Sequence, residues 1–299
     1  MKYTKKALSI PDQIASLKSR GLSFTNEVKA KHYLSNISYY RLRAYTYPFQ
    51  DNQDPCHPFI KKVSFEEVID LYVFDRRLRL LVFNALEKIE IAFRTKIIYE
   101  FSLTNGSHWY EDSNMYRNNH FFNVNINSLY DEIKRSNETF IAHYKYKYTV
   151  PIYPPAWMSL EVASMGLLSK LFLNLKKSPE KLKVTQEFGL PNPKILESWM
   201  HAFASLRNIC AHHGRLWNRR LSIVPIVPYN AAFPFLQNKQ VFKNKLYVQL
   251  CCINYISRII SPDNSFVAGL KHLLNACPLV DLKEMGFPSD WEKEVIWKK

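Results

Sequence analysis

Residues 64–103 constrain the fold more than any other part of the chain, because they run without a single Gly or Pro. Apolar residues recur there at Val68, Leu71/Tyr72, Leu78, Leu81/Val82, Leu86, Ile89, Phe93 and Ile97, close to the 3.6-residue period of a helix. Ser64 followed by Glu67 has the spacing of a capping box, which marks where such a helix starts. The stretch is apolar on more than one side, so it is expected to run through the core.

The remaining sequence adds further helices around this one. SIPDQIASLKSRG reads as a short helix capped by Ser9, opened by Pro11 and ended by Gly21. NEVKAKHYLSNISYYRLRAYTYPF has helical spacing, and QDNQDPCHP reads as a loop. Residues 104–126 are polar and Asn-rich, and read as a surface insertion. Helices are expected over 127–147, 157–175, 179–188, 192–212, 239–260 and 264–276, with a Pro-broken extended arm over 221–236. Only 7 glycines are present, too few for glycine-rich phosphate loops or many tight hairpins. The expected fold class is all-α. It has a basic N-terminal helical segment over 1–60, a helical core over 61–220 with the insertion near 104–126, and a C-terminal helical extension over 221–299 packed on the core.

Lys and Arg number 41 against 26 Asp and Glu, a formal net charge of +15. A globular chain this basic is suited to a polyanion. The five cysteines are odd in number, include the adjacent Cys251 and Cys252, and form no C-x-x-C pair. They suit neither a disulfide framework nor a zinc ribbon, but do suit a reducing compartment. The N-terminus MKYTKKALSIPDQ has no apolar signal core and no run reaches membrane-spanning length, so a cytoplasmic protein with no membrane partner is expected.

The chemistry concentrates in Arg207-Asn208-Ile209-Cys210-Ala211-His212-His213, which ends an amphipathic helical stretch and precedes Gly214. Cleavage of RNA by its own 2′-hydroxyl needs a base, an acid and a cation at the phosphate. Imidazole titrates near neutrality and can fill either proton role. Guanidinium offers a permanent charge and a planar fork to phosphate oxygens. On an ideal helix Asn208 and His212 share a face, whereas Arg207 and His212 lie about 140° apart. Arg207 must therefore reach around, or the helix must end near Ala211, which Gly214 favours. One His per chain supplies one proton-transfer group, so a homodimer with a composite site is expected.

The surroundings fit an anion site. Residues 198–262 contain no Asp or Glu but carry Arg207, Arg215, Arg219, Arg220, Lys239, Lys243, Lys245 and Arg258. Arg215, Arg219, Arg220 and His213 are candidate RNA contacts, with Trp217 and Tyr229 as candidate stacking surfaces. Against this stands a plainer alternative, in which His212 serves a helix end and Arg207 is a surface charge.

RNICAHHGRLWNR resembles the signature of Abi (abortive infection, AbiD/AbiF-like) family proteins of the HEPN superfamily, with its R-x4-6-H motif. The resemblance continues, in family order, through LSNISYYRLRAYTYPF, FEEVIDLYVFDRRLRLLVFNALEKIEIAFRTKI, PAWMSLEVASMGLLSKLF, ESWMHAFASLRNICAHHGRLWNR and MGFPSDWEKEVIW. It implies a HEPN-type helical bundle that dimerises around the motif and a metal-independent RNase acting in phage defence. Arg207 and His212 would be the defining catalytic pair, Asn208 the polar residue after the Arg. It implies no cofactor, and admits a small non-coding RNA or an antitoxin as a further partner. Some HEPN domains bind without cutting, so a non-catalytic RNA-binding module is the alternative.

Three other groups have two readings each. Glu87, Glu90 and Arg94 lie at i, i+3 and i+7 on the long helix, either as a solvated stripe or as a polar seam holding the catalytic Arg. Tyr39, Tyr40, Arg41, Arg43 and Tyr45 mix rings with cations as single-strand RNA binders do, and equally suit core packing; Arg41 and Arg43 are the candidate RNA contacts. His201, Cys210, His212 and His213 match no common zinc spacing, so no metal is expected.

Overall fold

The computed structural model describes residues 2, 6–238 and 240–298; Lys239 lies outside them. The described residues form helices joined by turns and three isolated β-bridges, with no strand among them. The fold is all-α. The chain divides into two compact units, one of residues 1–79 with 270–281, the other of residues 80–269 with 282–299.

The first unit contains α1 (Ile10–Ser19), α2 (Glu27–Asn36), α3 (Tyr39–Thr46) and the opening turns of α4 (Phe65–Asn105). Ser9 caps α1 by accepting the Asp12 N–H at 3.3 Å, and Gly21 follows with φ +101°, a conformation that costs glycine nothing. The stretch after it splits in two, because Ser38 accepts the Arg41 N–H and starts α3 afresh. Ser64 and Glu67 form the expected capping box: the Glu67 carboxylate accepts the Ser64 N–H at 2.7 Å and the Ser64 hydroxyl accepts the Glu67 N–H at 3.2 Å. Tyr45 is buried and donates to Asp75 at 2.6 Å, while Asp75 pairs with Arg79 one turn along α4. The ring of Tyr45 therefore belongs to the core.

The second unit holds the rest of α4, then α5 (Asn119–Arg135), α6 (Thr139–Lys147), the single turn α7 (Ala156–Ser159), α8 (Met165–Asn174), α9 (Pro179–Glu187), α10 (Pro193–Ala211) and α11 (Leu246–Ile260). α12 (Phe266–Asn275) crosses the division after Gly269. α10 packs on α8, α9 and α11, and α5 packs on α8. Leu196, Trp199, Met200, Phe203 and Leu206 recur at helical spacing and are buried, giving α10 its core face. Phe93 of α4 stacks with Phe203 at 6.2 Å and meets Phe188 edge-on at 4.8 Å. α11 is apolar nearly all round and is buried from Leu246 to Ser257, including the free thiols Cys251 and Cys252.

Residues 104–126 are exposed at many positions, but their rings reach inward: Trp109 is 3% exposed, and Tyr110, Tyr116 and Phe122 are buried. The Tyr110 hydroxyl donates to the Pro154 carbonyl at 2.6 Å, and the Arg117 N–H reaches the Asn174 carbonyl at 2.8 Å. Two Asn side chains of this stretch serve the backbone: Asn105 donates to the Phe101 carbonyl at 3.2 Å, and Asn118 caps α5 by accepting the Phe121 N–H at 3.0 Å.

A buried ion pair sits under α10. Lys181 of α9 is fully buried, donates to the Leu175 carbonyl at 2.8 Å and pairs with Glu197 at 2.6 Å. Arg117 reaches the same carboxylate oxygen. Burial lowers the Lys181 ammonium from 10.5 to about 8, with Glu197 opposing the shift and Arg117 adding to it. The folded chain thus releases this proton more readily than the unfolded one. Between pH 8 and 10.5 unfolding takes up a proton, so stability rises with pH across that window. Denaturant unfolding at stepped pH is expected to show that rise for the wild type relative to Lys181→Met; parallel curves would contradict it.

Candidate functional site

α10 is straight and core-packed until its last turn, and its end is built with care. The His213 N–H donates to the Cys210 carbonyl at 3.1 Å and the Gly214 N–H to the Ile209 carbonyl at 2.8 Å. This is the paired closure of a Schellman motif. His212 is the C-cap, and His213 occupies the left-handed position, φ +56°. The residue that turns the chain is therefore His213, not Gly214 as the sequence suggested. Gly214 serves close approach instead: a Cβ there would lie 3.2 Å from the Ile209 carbonyl oxygen. The helix ends at Ala211.

Arg207 lies one turn inside that end. Its guanidinium sits over the Phe83 ring of α4, 5.7 Å from the centroid, and its Nε lies 3.8 Å from Glu90 Oε2. The other oxygen of Glu90 accepts from Arg94 Nη2 at 3.0 Å. Arg94 also donates to the Ala163 carbonyl at 2.9 Å, just before α8, and approaches Glu161 at 3.8 Å. Phe83, Glu87, Glu90 and Arg94 fall on one face of α4 by their spacing. Glu90 and Arg94 form the polar seam against Arg207, whereas Glu87 is exposed and in no ion pair among the described residues. Phe83 was not foreseen, although it continues the same stripe.

The Arg207 side chain keeps 37% of its surface exposed. A long, partly solvated pair of this kind contributes only about 0–1 kcal/mol of stability, so its effect is to aim the guanidinium. Asn208 and His212 are exposed one turn apart, and the His212 N–H bonds the Asn208 carbonyl at 3.0 Å. The His212 imidazole makes no side-chain hydrogen bond among the described residues, which leaves both ring nitrogens open to a ligand. The one acid of α10, Glu197, is taken up by Lys181 and Arg117.

The other candidates separate. His213, Arg219 and Arg220 are exposed and Arg215 is half-buried, all close in sequence to the helix end. Tyr229 is 87% exposed. Trp217 is a correction: at 2% exposure it offers no ring face to a base and packs in the interior. Arg41 and Arg43 belong to the first unit, where Arg41 is exposed and Arg43 donates toward His57 Nε2 at 3.0 Å. No cluster of three or more His, Cys, Asp or Glu is arranged to hold a metal among the described residues. Among them, too, no helix is long and apolar enough to cross a membrane.

The left-handed residue yields a direct check. A β-branched side chain at that φ is strained by about 1–2 kcal/mol, whereas glycine is not. His213→Ile is expected to lower the unfolding free energy by about that much in a denaturant titration, and His213→Gly to leave it within about 1 kcal/mol of wild type.

A family model described as Abi-like protein matches residues 32–218. The match takes in about half of the first unit, the seam of α4 and the whole of α10 with its closure, and it stops just before Arg219. No curated protein and no solved structure matched the chain. With more than half of its length covered, motif helix included, the chain belongs to the Abi-like protein family.

Proposed function

We propose that this chain is a metal-independent endoribonuclease of an abortive-infection system, cutting RNA with Arg207, Asn208 and His212. The observation that carries the reading is the setting of Arg207: aimed by Glu90 and Phe83, still partly exposed, and on the same closing turn as an open imidazole. The family supplies the biological setting, phage defence. The resemblance to HEPN nucleases supplies the reaction class.

In this reading Arg207 binds the scissile phosphate and offsets the charge that grows on its oxygens. His212 removes the proton from the 2′-hydroxyl, whose oxygen attacks the adjacent phosphorus. The bond to the 5′-oxygen breaks, and that oxygen takes a proton from the His212 imidazolium of a second copy of the chain. The products are a 2′,3′-cyclic phosphate and a 5′-hydroxyl. Asn208, one turn before His212, orients the imidazole. Two copies meeting at this helix end provide the two imidazoles that the reaction needs.

Arg207→Ala and His212→Ala are each expected to lower cleavage by about a hundredfold or more while leaving the fold intact by circular dichroism. EDTA should leave wild-type cleavage unchanged. Sequencing of RNA ends from cells expressing wild type beside His212→Ala reads the product chemistry. A purified wild type that cuts no RNA, in isolation or from phage-infected cells, removes the proposal. In that event the exposed Arg219 and Arg220 favour an RNA-binding module, which charge reversal there would disable and the motif substitutions would spare.

A further inference from the structure

Past the motif the chain folds back along the helix it has just ended. The described residues of 221–245, all but Lys239, form a helix-free strap that is pinned at several points. The Ile226 N–H donates to Ser198 Oγ at 3.0 Å, and Trp199 Nε1 donates to the Ile226 carbonyl at 2.8 Å. Gln249 Nε2 donates to the Ile223 carbonyl at 3.0 Å, and the Ala232 N–H to the Gly189 carbonyl at 2.9 Å. The Leu221 N–H reaches the Asn244 carbonyl at 2.8 Å, which brings the Phe242–Asn244 turn alongside Arg220–Leu221.

One side of the strap is core. Leu221, Pro225, Pro228, Phe235 and Leu236 are buried. Val224, Ile226, Tyr229, Phe233 and Phe242 are exposed instead, Tyr229 87% and Phe242 71%, while Phe233 keeps one ring contact, with Tyr255. Large exposed rings and aliphatics gathered on one strap are more than isolated surface exceptions. The cations next to them, Arg220 and Lys243, are exposed and in no ion pair among the described residues. The strap itself holds no acid. Glu294, which does touch it, is spent accepting the Gln237 and Asn238 N–H groups at 2.8 and 2.9 Å.

We propose that the strap over residues 221–245 is a binding track for unpaired RNA, on which Tyr229 and Phe242 stack bases and Arg220 and Lys243 hold the backbone. Exposed rings interleaved with unpaired cations fit a single strand, because every base offers a π-face and every linkage a negative charge. A duplex keeps its base faces stacked away and leaves the rings idle. A lipid surface is served by an amphipathic helix, and this strap has none. Ser198, where Ile226 is pinned, lies fourteen residues before His212, about 21 Å along α10. The inference deepens the nuclease reading by naming its substrate class, and rests on that reading only for where the strand leads.

The test uses the full chain carrying His212→Ala, so that binding is read without cleavage. Fluorescence anisotropy would compare a labelled homopolymeric RNA strand with its duplex, and flotation would use phosphatidylserine-containing vesicles. The unpaired strand is expected to bind more tightly than the duplex. Tyr229→Ala with Phe242→Ala should weaken that binding about tenfold or more, with thermal melting unchanged because both rings are exposed. Arg220→Gln with Lys243→Gln should reduce its salt dependence. Equal affinity of the ring variant and its parent for the strand overturns the proposal. So does vesicle binding that the ring variant loses while RNA binding stays intact, which assigns the strap to lipid. The two readings fail separately. A wild type that cuts while the ring variant binds normally sinks the track alone. A wild type that never cuts, paired with a ring variant that loses RNA, sinks the nuclease and keeps the track.

Discussion

A carboxylate shared between two guanidinium groups sets the geometry of the candidate site. Glu90 is largely withdrawn from water, and alone it would be a costly charge. Arg94 takes one of its oxygens and is itself tied to the backbone just ahead of α8. Arg207 of α10 meets the other oxygen. Three separate parts of the chain are thus registered on one acidic side chain of the long helix. The stacked pair of Phe93 and Phe203 holds α4 and α10 together one turn deeper. The aim of Arg207 is therefore a property of the core and not of a surface loop, as pre-organised binding of an anion requires.

The same helix shows how a basic field is kept clean. α10 carries one acid, and that acid is buried and paired with Lys181 and Arg117. Beyond the helix no Asp or Glu follows until residue 263. Around the closing turn this segment exposes Asn208, His212, His213, Arg219 and Arg220, and the acids of the site, Glu87 and Glu90, come from α4. Under the proposed nuclease reading, such an arrangement would steer a polyanion toward the motif, with binding that weakens as salt rises.

How much of this could be read from the sequence depended on whether the cause was local. The capping box of Ser64 and Glu67 and the unbroken apolar repeat specified α4, and the α10 stretch was legible for the same reason. Ser38 restarting a helix was equally local, but was hidden inside a pattern that is helical on both sides of it. The stretch 104–126 was only partly legible because its many Asn residues look solvated, while the rings of Trp109, Tyr110 and Tyr116 find their partners far away in sequence. Trp217 beside the motif failed likewise, since nothing in its neighbourhood tells a buried indole from an exposed one. Periodicity put Glu90 and Arg94 on one face of α4, yet which helix that face meets is a tertiary fact. Gly214 attracted the role of helix stopper by residue type, and the backbone gave it to His213.

The way the strap is fastened has a consequence for how this protein can change. The side chains of Ser198, Trp199, Gln249 and Glu294 grip its peptide groups, not its outward side chains. Replacing an outward residue breaks none of those bonds, and substitutions of that kind usually move stability by less than about 0.5 kcal/mol. Tyr229 and Phe242 are thus exchangeable at little cost to the scaffold, whereas Phe233 also packs on Tyr255. A chain built this way can acquire a new preference by altering a handful of positions while the helix that carries Arg207 and His212 stays as it is.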